Sequence, residues 1–179
     1  MGIKIEKQRS CESCLSVCLM SLLDSQKGIK LDEKEEFNIL FKGLKFTRLD
    51  FSTGHLVYLA KKFPELTFEQ YIDFDVFYEI LKKLDIPKNL KLYPKKINLK
   101  FLKEMTKENP VIIYVDIFTL DGIYHYSHFV ILKEIDDEKA ILFDPWSGEK
   151  IEMKTKILMR SISYVRNMLK ISPKLIRVK

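Results

Sequence analysis

The hydrophobic pattern of this chain changes period near its middle, and that change limits the fold more than any other feature. Before Pro110 the apolar residues recur at helical spacing. Residues 14–23 are continuously apolar or small, which suits a buried helix. Asp32 can cap a helix over 33–43 with Phe37, Leu40 and Phe41 on one face. Ser52 can cap another, with Leu56, Leu59 and Ala60 inward and its end near Pro64. Residues 73–84 carry a similar stripe of Phe77, Ile80 and Leu81. Asn98 can cap a short helix holding Phe101, Leu102 and Met105, stopped before Pro110. Beyond Pro110 the period becomes that of strands. Residues 111–117 form a β-branched apolar run, 127–135 a second strand, and 136–139 a polar turn. Residues 140–144 form a third strand ended by Pro145, and 151–153 continue the sheet. A helix over 155–169 and a last strand over 174–178 follow. Helices first and antiparallel strands later predict an α+β domain, with an N-terminal helical lobe and a C-terminal antiparallel sheet lobe. At 179 residues, with no internal repeat or low-complexity linker, the expectation is one domain over 1–179.

Apolar residues make up 46% of the chain, enough for a substantial core. The net charge of +6 is mild and spread along the sequence; no basic block with interleaved aromatics occurs, so no nucleic-acid partner is expected. No apolar run approaches the ~18 residues that a membrane span needs. Lys4, Lys7 and Arg9 before the apolar stretch loosely resemble a secretory signal, but no small-x-small site follows Leu23, and no signal peptide is expected. Gly2 lacks a Ser or Thr at the sixth position, against myristoylation. The three cysteines, Cys11, Cys14 and Cys18, lie within eight residues, which excludes a disulfide-built fold and fits reduced thiols in the cytoplasm.

Chemistry concentrates in two segments. Cys14 stands at the expected start of a helix, where unpaired N–H groups and a partial positive charge favour a thiolate. Gln8, six residues earlier, can donate its amide to an oxyanion beside the Cys14 N–H. A thiolate nucleophile needs a base, and the base an orienter. His128 opens an apolar strand and Asp144 closes the next. A turn centred on Asp136 sets residue 128 directly across from residue 144, within hydrogen-bond reach; a one-residue slip would put them on opposite faces.

Gln8-x-Ser10-Cys11-x-Ser13-Cys14 resembles the active-site segment of papain-like cysteine proteases. His128-Phe129-Val130-Ile131 with Asp144-Pro145-x-x-Gly148, and Cys14-x-x-x-Cys18-Leu19, are more similar to the C39 group, which includes the double-glycine leader peptidases. The resemblance covers about 35 residues at the two ends. It implies a papain-like fold and a cysteine peptidase with Cys14 as nucleophile, His128 as base, Asp144 as orienter and Gln8 as oxyanion donor. It implies a peptide or protein substrate and no cofactor. Leu15 departs from the Gly or Trp of those families, and Glu12 from the Gly of the papain segment. Leader peptidases are often fused to an ABC transporter; with no membrane span and no G-x-x-x-x-G-K-[ST] loop here, a free-standing domain is expected.

Other readings of the same residues stay open. An amidase, deamidase or acyl transferase would use the same four groups, and a non-catalytic binding module could keep the fold. Cys11 is a rival nucleophile, set too close to Gln8 for both to converge on one oxyanion. Cys11-x-x-Cys14 reads as a redox pair, and with His125-x-x-His128 as a zinc site, although residues three apart on a strand face opposite ways. Cys18 reads as a buried helix cysteine and His55 as structural or surface. Trp146 reads as a cover over His128 and Asp144 or as core, and Phe118, Tyr124 and Tyr126 as packing or as a cleft lining.

Overall fold

A computed structural model describes residues 3–46 and 50–179; Gly2 lies outside them. Three helices come first: α1 (Cys14–Lys27), α2 (Glu33–Phe46) and α3 (Phe51–Lys62). Then follow β1 (Phe68–Ile72), α4 (Asp75–Leu81), β2 (Leu90–Pro94), α5 (Leu99–Thr106) and β3 (Val111–Asp116). The last elements are α6 (Phe118–Asp121), β4 (Ser127–Ile135), β5 (Lys139–Asp144), β6 (Glu149–Lys154), α7 (Thr155–Asn167) and β7 (Lys174–Val178). The strands form one sheet of order β2-β1-β7-β3-β4-β5-β6.

The sheet separates two apolar cores, as the alternation along β3 shows. Ile112 and Tyr114 join the core beneath α1–α3, while Val111, Ile113 and Val115 join the core beneath α5 and α7. Helices α2 and α3 cross with their backbones nearly in contact. A Cβ on Gly43 would collide with His55, and one on Gly54 with the Gly43 carbonyl, so only glycine permits this approach.

Most expected elements are present, with four corrections. Strands β1 and β2 lie in the half read as helical, and they pair parallel, so the sheet is mixed rather than antiparallel and draws on both halves of the chain. Helix α3 is capped by Asp50, two residues before Ser52; the Asp50 carboxylate accepts from the Ser52 and Thr53 N–H groups. The buried stripe of α2 is Glu36, Ile39, Leu40 and Gly43, leaving Phe41 exposed. Helix α4 is shorter than the 73–84 stripe, and Ile80 is exposed.

Residue 128 does not face residue 144 directly. At the β4–β5 turn Ile135 pairs with Ala140 and Glu134 with Ile141, but a bulge at Lys133 shifts the ladder to Leu132–Leu142 and Ile131–Phe143. Continued one step, this register sets Asp144 across from Val130, two residues along from His128 on the same face.

Candidate active site

Helix α1 begins at Cys14, with Ser13 as its N-cap residue. The Ser13 hydroxyl does not cap the helix. It donates instead to Glu36 Oε1 at 2.6 Å, which leaves the first N–H groups of α1 uncapped by a side chain. Glu36 is fully buried and also accepts from the Arg9 backbone N–H and guanidinium, both at 2.8 Å. One carboxylate thus fixes the segment leading into Cys14. Sequence reading missed Glu36. The available signal was an acid on the apolar stripe of α2, at helical spacing from Ile39, Leu40 and Gly43.

Cys14, His128 and Asp144 come together, all nearly inaccessible to solvent. The His128 ring is hydrogen-bonded through Nε2 to Asp144 Oδ1 at 2.7 Å, which leaves Nδ1 outside that bond, and Cys14 lies close enough to couple to the ring. Burial alone would lower the His128 pKa, but the hydrogen bonds to Asp144 and Cys14 outweigh it and raise the value from 6.5 to about 9. Burial raises the Asp144 pKa, and the His128 bond with the Trp146 and Ser147 N–H groups outweighs it, holding the carboxyl below its usual range.

The segment after β5 explains why Asp144-Pro145-x-x-Gly148 has these residues. Asp144 accepts the two turn N–H groups while holding the imidazole. The Pro145 carbonyl accepts the Gln8 backbone N–H at 2.7 Å, drawing the N-terminal strand of chain beside it. Gly148 closes the turn at φ 75°, and a Cβ there would sit 3.4 Å from Lys7. The Gln8 amide nitrogen donates to the Ser10 carbonyl at 2.7 Å, within the turn that precedes Cys14. An amide carries two N–H groups, so this bond leaves one. Gln8 Oε1 is buried without a hydrogen-bond partner among the described residues.

The remaining candidates separate from this cluster. Cys11 is exposed, and Cys18 is buried with its thiol against the Phe129 carbonyl at 3.5 Å; burial raises its pKa well above the ordinary thiol value. His55 is buried, not at the surface: Nδ1 meets the Phe51 carbonyl at 2.7 Å and Nε2 has no partner among the described residues. Burial lowers its pKa to about 4. His125 lies before β4 rather than on it and is bound to Asp116 at 2.8 Å, between the rings of Phe118 and Tyr164. Each histidine proposed for zinc thus has its own carboxylate, and no cluster of three or more metal-binding side chains occurs among the described residues. Phe118, Tyr124, Tyr126 and Trp146 are 40–47% exposed, and Phe118 stacks on His125. Tyr126 reaches Glu12 at 3.3 Å, beside the start of α1.

No family model matches the chain, and no curated protein matches it. Solved structures do. The peptidase domain of Streptococcus ComA, a bi-functional ABC transporter involved in quorum sensing, superposes with a TM-score of 0.55 at 14% identity, covering 99% of this chain and 98% of that one. A C39-like peptidase from Bacillus anthracis gives a TM-score of 0.60 at 13% identity, covering 99% and 95%. The chain has a C39-like fold. No helix among the described residues is long and apolar enough to cross a membrane.

Proposed function

We propose that this protein is a cysteine peptidase in which Cys14 attacks the scissile carbonyl, His128 moves the proton and Asp144 orients His128. The observation that carries this reading is the buried cluster of Cys14, His128 and Asp144, with His128 hydrogen-bonded to Asp144 and Cys14 beside it, set at a helix N-terminus within a C39-like fold. With a pKa raised to about 9, His128 is an imidazolium at neutral pH. A cation held beside the sulfur stabilises the anion that attacks. Attack builds negative charge on the carbonyl oxygen. The Cys14 N–H, free at the head of α1, and the remaining Gln8 N–H supply donors for it. Nδ1 then protonates the leaving amine, and a water deprotonated by the neutral ring releases the acyl group. Asp144 keeps the ring in this tautomer from the far side. An amidase or acyl transferase would share every step through the thioester and differ only in the groups that arrive and leave.

Iodoacetamide labelling tests the nucleophile. Wild type should label at about pH 6 at least tenfold faster than free cysteine. His128→Ala should lose that advantage and Cys14→Ala should lose the fast phase altogether. Fast labelling that persists in Cys14→Ala rejects the assignment. Cleavage of a peptide library by wild type, absent in Cys14→Ala, then distinguishes a peptidase from the acyl-transfer alternatives.

A further inference from the structure

A cavity of about 520 Å³ opens on the α1–α3 side of the sheet, apart from the Cys14 cluster. Its walls are largely aromatic: Phe51, Phe74, Phe77 and Tyr114. Size and lining match those of small-molecule pockets, which run from about 300 to about 1,000 Å³ with few polar groups. Four polar side chains reach it: Asp50, Lys170, Ser172 and Lys174.

What those four have left to offer decides the ligand. The buried Asp50 carboxylate accepts from the Ser52 and Thr53 hydroxyls and N–H groups, from Gln70 Nε2 and from Lys174 Nζ at 2.7 Å, so its acceptor capacity is taken. Ser172 Oγ accepts the Phe74 N–H and donates to the Pro173 carbonyl. Lys174 is different. Its side chain is only 4% exposed, and an ammonium has three N–H donors. Among the described residues one of these goes to Asp50, and the ammonium otherwise lies 5.3 Å from the Phe77 ring centre and 5.4 Å from that of Tyr114. Lys170, exposed and turned by a φ of 57°, adds a second positive charge. The unused polar capacity is therefore donor and cationic, and it lies inside aromatic walls.

We propose that this cavity binds a small monocarboxylic acid with an aromatic or branched apolar body. The carboxylate would sit on Lys174, with Lys170 assisting, and the apolar body between the aromatic walls. A cationic ligand would meet a saturated Asp50 and a repelling Lys174. A dianion such as phosphate would meet the Asp50 charge next to Lys174 and has no apolar body for the walls. The proposal does not depend on chemistry at Cys14. The site is nonetheless close to it: Tyr114 pairs with Phe129, the neighbour of His128, and its hydroxyl donates to Ser127 at 2.7 Å. In the sheet, β3 alone separates β7, which carries Lys174, from β4, which carries His128.

The test is calorimetric titration of the Cys14→Ala protein, which separates binding here from turnover. The probes are 3-phenylpropionate and its uncharged amide. The acid should bind saturably, and the amide at least tenfold more weakly, the order expected for one charge-assisted contact. Lys170→Ala should weaken the acid about threefold and leave the amide unchanged. Lys174→Met leaves Asp50 without its cation and can unfold the protein. Phe77→Trp, which fills the cavity and keeps the ion pair, is therefore the second variant, and it should abolish binding while the thermal melt stays cooperative. Equal affinity for acid and amide, no binding of the acid up to about 10 mM, or undiminished binding in a folded Phe77→Trp protein overturns the proposal. A peptide ending in a free phenylalanine carboxylate that displaces 3-phenylpropionate supports the same chemistry and identifies a chain terminus as its source.

Discussion

Glu36 lies away from the proposed chemistry yet positions the segment that leads to it. Its carboxylate holds Arg9 and Ser13 at once, and Ser13 is the residue before Cys14, the proposed nucleophile. In Glu36→Gln one oxygen remains for the Arg9 and Ser13 donors, but an amide N–H replaces the oxygen that met the guanidinium. A buried donor is left facing a donor, a cost of about 1–3 kcal/mol. The rate of Cys14 labelling at neutral pH should fall about tenfold as the segment before Cys14 shifts. A purely structural brace would lower the melting temperature without slowing the labelling. Leu15 and Glu12, where the sequence departs from the related motifs, do not disturb this arrangement. Leu15 is fully buried in the core, and Glu12 projects to Tyr126.

Among the elements, the β4 bulge decides whether His128 and Asp144 meet. The register at the turn, carried on unbroken, would set Asp144 against Ile131 and so on the face away from His128. The extra residue, Lys133, restores the face. Removing Lys133 keeps every pair on both sides of the bulge, so labelling of Cys14 should stay within about threefold of wild type. One alanine inserted between Val130 and Ile131 turns His128 to the other face and should cost more than about tenfold. Equal damage from the two changes would contradict this account. The bulge was legible: Val130, Leu132 and Ile135 break the alternation, with Lys133 and Glu134 both exposed between them. Assuming a simple turn gave the right face for Asp144 through the wrong pairing. Strand β1 was much harder to read. Its Glu69 and Gln70 look like surface residues, yet both are buried, because Glu69 meets Lys179 at 2.9 Å and Gln70 joins the Asp50 network. Those partners are distant in sequence, so no local pattern announces them. The segments holding Cys14, His128 and Asp144 were legible because helix start, strand start and turn each demand particular residues locally. Glu36 left a local signal, an acid on the apolar stripe of α2, but its partners come from another element and nothing local named them.

At the scale of the whole molecule, the two fully enclosed histidines pull stability in opposite directions with pH. His128 has its pKa raised from 6.5 to about 9 by Asp144 and Cys14 against the effect of burial. The folded state then holds a proton that the unfolded chain gives up, so this contribution is complete below about pH 6.5 and is lost as pH rises to about 9. His55 has its pKa lowered from 6.5 to about 4 by burial. Its Nδ1 faces the Phe51 carbonyl, and Nε2 has no acceptor among the described residues for an added proton. Here the unfolded chain takes up a proton that the folded state refuses, so stability is complete above about pH 6.5 and is lost as pH falls toward about 4. Each shift corresponds to about 3 kcal/mol. Asp144, held below its usual range, adds a further loss only at lower pH, below the ordinary carboxylate value. The two limbs therefore meet near the ordinary histidine pKa, and the melting temperature should peak close to pH 6.5 and fall on either side. His55→Gln should flatten the acid limb and leave the alkaline one, and His128→Gln should do the reverse. Thermal melts of the three proteins between about pH 4 and about pH 9 measure this directly. A wild-type maximum at pH 8 or above, or an acid limb unchanged in His55→Gln, would show that other groups govern the pH response.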